Sequence, residues 1–187
     1  ALSRALIGRI RGGLAQVNVL VSMFFAGMNG SVVADTATVG ALVLPAMKKA
    51  GYPAAFSAAV TGVSSTIGGI IPPSIMMIVL ANATEISIAS LFAAGIIPGI
   101  LIGVVIMVIN HYFAVKHNFE RSDEPFSVRR AGKELYRSSF ALLIPLVLVG
   151  SVMGGVASVV EAGAITALVA LFTGVFVYRT IKWKDCT

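Results

Sequence analysis

The chain has 187 residues, of which 57% are hydrophobic and 12% are charged, and its mean hydropathy is +0.94. A soluble domain carries roughly 25% charged residues, so this chain has too little polar material to cover a water-soluble fold. The composition excludes soluble enzymes, nucleic-acid-binding modules and disordered tails, and it predicts an all-α polytopic membrane protein in a lipid bilayer. In such a protein the net charge of +6 indicates which loops face the cytoplasm.

The chain start and the rare residue types add little chemistry. The sequence opens on Ala1 without an initiator Met or the features of a signal peptide, so we expect it to be part of a longer chain. Cys186 is the single cysteine, and His111 and His117 are the only histidines, which excludes a disulfide framework and zinc-ligand spacing. We therefore expect no cofactor.

The first long apolar run is interrupted by a polar and β-branched stretch at 29–36. The returning segment, 36–47, would rise about 18 Å as a helix, well under a hydrocarbon core of about 30 Å. We therefore predict a re-entrant helical hairpin over 14–47, with arms at 14–28 and 37–47 and a tip near mid-membrane. Non-helical backbone at that depth needs protein or a water-filled cavity to satisfy it.

The next apolar run, 50–84, is too long for one ordinary helix and carries the sequence Gly-Gly-Ile-Ile-Pro-Pro at 68–73. Two prolines remove two backbone donors and clash with the preceding turn, so a regular helix cannot pass through them. We predict a discontinuous transmembrane helix over 54–84.

The run 86–115 is longer than one span needs, and Pro98 is a residue typical of a first helical turn. We therefore expect a short interfacial piece at 86–94 and a transmembrane helix at 97–115. Residues 116–137 form the one substantial aqueous segment. Their basic and aromatic pattern predicts a cytoplasmic amphipathic connector that lies along the lipid headgroups rather than binding a ligand.

Two further membrane helices are expected within 138–187, with apolar runs at 138–160 and 162–178. The capping-box pattern from Ser158 to Glu161 marks the start of the last one. We interpret Glu161 as a helix cap, with a functional role as the alternative.

The positive-inside rule selects the topology. If the hairpin returns to its own side and 54–84 crosses once, all fourteen Lys and Arg lie on one face, with Glu85 and Glu161 on the other. Making 14–47 one span, or 50–84 two, scatters the basic residues over both faces. The rule does not separate a re-entrant hairpin from two full spans, and the short returning arm favours the hairpin.

Two polar breaks therefore lie at membrane depth in consecutive elements. Carbonyls and hydroxyls exposed at such breaks suit a small hard cation such as Na⁺, and helix N-termini suit an anion. The predicted Na⁺ ligands are Ser31, Asp35 and Ser65. The predicted sodium- and substrate-binding residues together are Asn29, Ser31, Asp35, Thr36, Ser64, Ser65, Thr66, Gly68 and Ser74.

Asp35 is the critical residue of this set. An unpaired carboxylate near the bilayer centre costs at least about 2.5–3.5 kcal/mol, and neither the hairpin nor the broken helix contains a Lys or Arg at that depth. The carboxylate must be protonated, capped by N–H groups, hydrated or balanced by a bound cation. The alternative role is a cap on the returning arm, which does not exclude a contribution to an ion site.

Four segments carry a resemblance to a known family. Their order and spacing are Arg-Gly-Gly-Leu-Ala-Gln-Val-Asn-Val at 11–19, Gly-Ser-Val-Val-Ala-Asp at 30–35, Leu-Pro-Ala-Met-Lys-Lys-Ala-Gly-Tyr at 44–52 and Ser-Ser-Thr-Ile-Gly-Gly-Ile-Ile-Pro-Pro-Ser at 64–74. Together they resemble the large membrane subunit, the DctM-type permease, of tripartite ATP-independent periplasmic (TRAP) transporters. The combination is specific over the first 80 residues, and weaker similarity continues to about Arg179.

The resemblance implies a bacterial or archaeal secondary transporter of the cell inner membrane that takes up organic anions by sodium symport. C4-dicarboxylates, keto acids, sialic acids and sugar acids are the implied substrate classes. The implied partners are a small DctQ-type membrane subunit and a DctP-type periplasmic substrate-binding protein. The implied fold is an elevator-type transporter of two inverted repeats, with most of the first in 1–115 and the start of the second in 138–187.

The sequence departs from the family pattern at three places. Asn29 stands where the family often has Ser, and Gly69 where it often has Pro, and both remain compatible with cation ligation. Ser158–Glu161 replaces a frequent Thr-Pro-Thr-Glu. Two other hypotheses stay open: a related sodium/anion symporter that works without a binding protein, and a truncated, non-transporting membrane remnant. Neighbouring genes for a binding protein and a small membrane subunit would favour the TRAP permease over both of these hypotheses.

Overall fold

The computed structural model describes residues 11–119 and 143–177, which are helical with short connections and contain no β-strand. The predicted all-α architecture is confirmed for these residues. The helices are α1 (Gly13–Asn29), α2 (Val32–Lys49), α3 (Ala54–Ser65), a 3₁₀ turn (Thr66–Gly69), α4 (Ile75–Thr84), α5 (Ile88–Lys116), α6 (Leu143–Met153), α7 (Val159–Phe172) and a closing π-helical turn (Thr173–Val177).

Helices α1 and α2 form a hairpin with a shorter tip than the sequence predicts. Only Gly30 and Ser31 separate the two helices, and the residues expected to form the rest of the tip are the first turn of α2. The Ser31 hydroxyl caps this turn by accepting from the Ala34 N–H at 3.3 Å. This cap lets a helix begin at two β-branched valines, which favour extended backbone when considered alone.

The structure corrects the predicted length of the returning arm and rules out the alternative role of Asp35 as its cap. The returning arm has 18 residues and rises about 27 Å, so its length does not separate a re-entrant hairpin from two full spans. Asp35 is not the cap, because Ser31 holds that position and Asp35 lies within the first turn. A re-entrant hairpin is instead favoured by the contact that its tip makes with the break in the following helix.

The broken helix has its interruption where the prolines predict one. α3 ends at Ser65, a 3₁₀ turn follows, and bends at 71–73 lead to Ser74. Ser74 begins α4 by accepting from the Met77 N–H at 3.3 Å. The two halves have 12 and 10 residues, so each rises less than about 20 Å.

Helix α5 runs without a break from Ile88 to Lys116, so the predicted division into 86–94 and 97–115 is wrong. Its true start is Ser87, whose hydroxyl accepts from the Ser90 N–H, and Pro98 lies inside the helix. Prolines are tolerated inside membrane helices where local adjustments and neighbouring groups satisfy the freed backbone. Within the described ranges, α5 is the helix whose length and composition suffice to cross a membrane.

Three buried glycines on one face of α5 allow close packing: Gly95, Gly99 and Gly103. A Cβ on Gly95 would lie 2.5 Å from the Ile70 carbonyl oxygen, and one on Gly103 would lie 2.6 Å from the Met23 sulfur. This face therefore approaches the backbone of the α3–α4 break at Gly95 and packs against the Met23 side chain of α1 at Gly103, as small residues do in membrane helix pairs.

Basic residues from different parts of the chain lie together at one end of the helix bundle. Arg11 donates to the Asn118 side-chain oxygen at 2.8 Å, beyond the end of α5. Tyr52, just after α2, lies 4.8 Å from Phe119 between ring centroids. The exposed Lys48 and Lys49 belong to the last turn of α2, shortly before Tyr52. These basic residues of the predicted cytoplasmic face therefore lie on the same surface as Arg11.

Helices α6 and α7 fall within the predicted 138–187 segment. α6 ends at Met153, earlier than its apolar run, because a turn through Gly155 at φ +66° follows it. The predicted capping box at the start of α7 is confirmed: Glu161 accepts from the Ser158 N–H at 2.8 Å, and Ser158 accepts from the Glu161 N–H. Residues 120–142 and 178–187, including most of the predicted connector, lie outside the described residues.

Candidate functional site

The hairpin tip docks directly on the break of the α3–α4 helix. Gly30 has φ +59°, and a Cβ there would collide with the Pro73 carbonyl oxygen and lie 3.1 Å from the Ser74 Cα. The Ile75 N–H donates to the Gly30 carbonyl at 3.3 Å. Only glycine combines this backbone conformation with this approach. The two polar breaks therefore meet, as the sequence predicts.

Unpaired carbonyl groups line the break beside the tip. Among the described residues, no backbone N–H donates to the carbonyls of Ile70, Ile71, Pro72 or Pro73. The Pro72 carbonyl oxygen lies 3.9 Å from the position a Cβ on Gly27 would occupy, so it faces α1. The Ile70 carbonyl packs on Gly95 and the Pro73 carbonyl on Gly30, so Ile71 and Pro72 supply the candidate carbonyls for ligating a cation or accepting from a ligand.

Asp35 is fully buried, at 0% exposure, between α1, α2 and α3. Its nearby polar groups include the Ser22 and Ser65 hydroxyls, close enough to interact with the carboxylate. Neither carboxylate oxygen, however, has a hydrogen-bond partner within the described ranges. A buried carboxylate without partners is strongly unfavourable, so this position calls for a compensating ligand or a proton.

A chain of buried polar side chains leads from Asp35 into the α1–α3 interface. Ser22 and Ser64 share a hydrogen bond at 3.2 Å, and Ser64 also bonds to the Thr61 carbonyl at 3.1 Å. The Ser65 hydroxyl donates to that same carbonyl at 2.8 Å. Asn18 closes the chain by donating to the Thr61 hydroxyl at 2.7 Å.

Counting hydrogens shows what these hydroxyls present to Asp35. A serine hydroxyl carries one hydrogen and two lone pairs. Ser65 uses its hydrogen on the Thr61 carbonyl, and the shortest bond of Ser64 uses its hydrogen on the same oxygen. A Ser22–Ser64 bond then requires Ser22 to donate its hydrogen to Ser64. In that arrangement, both Ser65 and Ser22 turn lone pairs toward the carboxylate.

This cluster of Ser22, Asp35 and Ser65, called the acceptor cluster below, has the chemistry of a cation site. The atoms that would ligate the ion are all oxygens, and together they carry one negative charge, which suits a hard monovalent ion. A divalent ion usually recruits more carboxylates. No group of three or more His, Cys, Asp or Glu side chains occurs in the part of the chain that the structure describes.

The other predicted site residues divide into two groups. Asn29, Ser31, Gly68 and Ser74 lie where tip and break meet: Gly68 packs on the Ser31 backbone, and Ser74 donates to the Gly69 carbonyl at 2.7 Å. Thr36 and Thr66 are exposed. Their hydroxyls bond to carbonyls of their own helices, Val32 and Val63, at 2.8 and 2.7 Å. These two threonines do not join the acceptor cluster.

Three buried residues of this polar chain were not predicted from the sequence: Asn18, Ser22 and Thr61. All three are at most 2% exposed. A usable signal was present, because Asn18 and Ser22 are four residues apart in an apolar helix. Thr61 likewise precedes the Ser64–Ser65 pair by three and four residues. Polar residues three or four positions apart lie on the same face of a helix. Where two such faces pack together, they form a buried row of polar side chains.

A broken apolar helix whose gap meets a hairpin tip beside a buried carboxylate is typical of ion-coupled secondary transporters. The chain belongs to the family described as "Tripartite ATP-independent periplasmic transporter, DctM component", which matches residues 1–187.

Three curated relatives illustrate the match. The chain is 36% identical over 184 residues to the C4-dicarboxylate TRAP transporter large permease protein DctM of Pseudomonas aeruginosa, covering 98% of this chain and 43% of the relative. It is 36% identical over 183 residues to the sialic acid TRAP transporter permease protein SiaT of Haemophilus influenzae (97% and 29%). It is 36% identical over 182 residues to the 2,3-diketo-L-gulonate TRAP transporter large permease protein YiaN of Escherichia coli (97% and 43%). The chain thus spans less than half the length of these relatives.

Proposed function

We propose that this chain forms part of a large permease subunit that takes up an organic anion across the bacterial inner membrane by sodium symport. The observation that carries the proposal is Asp35, a fully buried carboxylate with no hydrogen-bond partner among the described residues, beside the Ser65 hydroxyl, which gives its hydrogen to the Thr61 carbonyl. A bound Na⁺ would balance this charge. The charge balance then couples ion binding to the docking of the hairpin tip, because Asp35 belongs to the first turn after the tip.

The organic anion would bind where the N-termini of α2 and α4 approach each other. The Val32 and Val33 N–H groups of α2 precede the first intrahelical hydrogen bonds, as does that of Met76 in α4. Both termini carry partial positive charge. Asn29 uses its oxygen to accept from the Ser31 N–H at 3.0 Å, which leaves its amide N–H groups for an anion.

The substrate class and the partners follow from the relatives. Their printed substrates are C4-dicarboxylate, sialic acid and 2,3-diketo-L-gulonate, which are all organic acids. We therefore propose a carboxylate-bearing substrate, a periplasmic binding protein that delivers it and a small membrane subunit. Hairpin and broken helix would move together against the rest of the protein, as in an elevator-type transporter with a second, inverted copy of this unit.

The experiment is Asp35→Asn in the full-length subunit, reconstituted with its partners in proteoliposomes. The substitution keeps size and hydrogen-bonding atoms while removing the charge. We expect the Na⁺ concentration for half-maximal uptake to rise at least tenfold, with normal membrane insertion and expression. Ser65→Ala should shift it in the same direction by a smaller factor, because it removes a neutral ligand. Uptake by Asp35→Asn with the Na⁺ dependence of the parent protein would refute the proposal.

A further inference from the structure

We propose that Asn18 and Thr61 are positioning residues for the acceptor cluster: through Ser64 they fix the direction of the Ser22 hydroxyl so that a lone pair, rather than the hydrogen, faces Asp35. The inference rests on the proposed function, since it assumes that the cluster binds the coupling cation. Both residues act indirectly, through Ser64 on Ser22, whose hydroxyl lies near the carboxylate.

Thr61 is the centre of the network. Its hydroxyl donates to the Ser57 carbonyl at 2.9 Å and accepts from the Asn18 amide at 2.7 Å. Its carbonyl receives the hydroxyl hydrogens of Ser64 and Ser65. Any residue at position 61 would supply this carbonyl, so the contribution of the Thr61 side chain is its bond to Asn18. The side chain is 2% exposed, so water does not compete for these bonds.

Asn18 ties the three helices around Asp35 together. It lies on α1, donates to Thr61 on α3, and its amide nitrogen also lies 3.7 Å from the sulfur of Met47 on α2. Its side-chain oxygen lies 3.5 Å from the Ser64 hydroxyl, a weaker second acceptor for that hydrogen. Asn18 is 0% exposed. Buried polar networks of this kind fix one geometry only while every member is satisfied.

Loss of the Thr61 hydroxyl would change the hydrogens around Asp35. The Asn18 amide would lose its acceptor and turn to find another, and its oxygen would turn with it. The nearest group affected is Ser64, which would then share its hydrogen differently with Ser22. A Ser22 hydrogen released toward Asp35 would satisfy the carboxylate without a cation and so compete with Na⁺.

The test is Thr61→Val in the full-length reconstituted transporter, a change that replaces a hydroxyl by a methyl of similar size. Removing one net hydrogen bond of this type should raise the Na⁺ concentration for half-maximal uptake by about fivefold. It should also change the ratio of Na⁺-driven to Li⁺-driven uptake, since the ligand geometry differs. A purely structural loss would lower the maximal rate and leave that ratio unchanged.

Thr84→Val is the matched control. Thr84 has the same side chain in the last turn of α4, and its hydroxyl also bonds to a carbonyl of its own helix, at 2.7 Å, but it is exposed and outside the network. We expect parent-like sodium dependence. Thr61→Ser retains the hydroxyl and should restore both values. If Thr61→Val fails to fold, Thr61→Cys keeps the size with a weaker donor and acceptor, and should give a smaller shift in the same direction.

The outcomes separate the two proposals. Parent-like sodium dependence and ion selectivity in Thr61→Val or, if needed, Thr61→Cys, together with a shifted Asp35→Asn, would overturn the positioning role alone. An unshifted Asp35→Asn would overturn the sodium site itself. A loss of maximal rate with an unchanged Na⁺/Li⁺ ratio in Thr61→Val would assign Thr61 to packing and also overturn the positioning role.

Discussion

Gly30→Ala is the substitution for which the structure gives the most detailed expectation. Gly30 forms the tip of the hairpin at φ +59°, and an added Cβ would collide with the Pro73 carbonyl oxygen. The left-handed conformation costs an alanine about 1–2 kcal/mol. Forcing an extra methyl into a packed contact costs about 1–3 kcal/mol more. Loss of the hydrogen bond from the Ile75 N–H adds about 1 kcal/mol.

The expected total is a loss of about 3–6 kcal/mol in the free energy of unfolding. Gly51→Ala is the matched control, because Gly51 has φ +79° but nothing within 4 Å of an added Cβ. It should lose only the conformational part, about 1–2 kcal/mol.

Both variants would be measured by denaturant titration of the purified full-length subunit in detergent, with sodium-driven uptake in proteoliposomes as a second assay. Gly30→Ala should also reduce uptake strongly, because the added Cβ pushes the tip off the break and displaces Asp35, which lies in the first turn after the tip. Gly51→Ala should transport normally. Equal stability and equal uptake in the two variants would show that the tip does not dock on the break as the structure indicates.

Two further predictions concern topology and capping. Single cysteines replacing Lys48 and Glu85 should be labelled by an impermeant reagent from the cytoplasm and the periplasm respectively, and periplasmic labelling at Lys48 would contradict a hairpin that returns to its own side. Ser158→Ala should lower the free energy of unfolding by about 1 kcal/mol because it removes the cap of α7, whereas Ser158→Gly should cost only a few tenths. Equal losses in both Ser158 variants, by the same denaturant titration, would contradict that role.

The sequence was most informative where a residue type has one dominant physical effect. Two consecutive prolines interrupt any helix, so the position of the break could be predicted from Pro72 and Pro73 alone. The capping box from Ser158 to Glu161 was equally local, because its two hydrogen bonds lie within four residues. Tertiary contacts had no part in either prediction.

Predictions went wrong where a weak local preference met a stronger constraint. Val32 and Val33 favour extended backbone, but the Ser31 cap and the packing of α2 on α1 and α3 keep them helical. Pro98 suggested a helix start, but the helix already begins eleven residues earlier, where Ser87 caps its N-terminus. The partners of Asn18 and Thr61 could not be derived, because the bond between them joins residues 43 positions apart. Only the helical spacing of these polar residues was visible in the sequence.

The short halves of the broken helix have a consequence for how the protein enters the membrane. α3 and α4, with 12 and 10 residues, are each too short to span a hydrocarbon core of about 30 Å. The carbonyls between them would each cost several kcal/mol if they met lipid. The glycine face of α5 and the hairpin tip are the surfaces that cover them. During synthesis, 54–84 therefore cannot settle stably in lipid until α5 has emerged, so insertion of this segment has to be completed by a helix made after it.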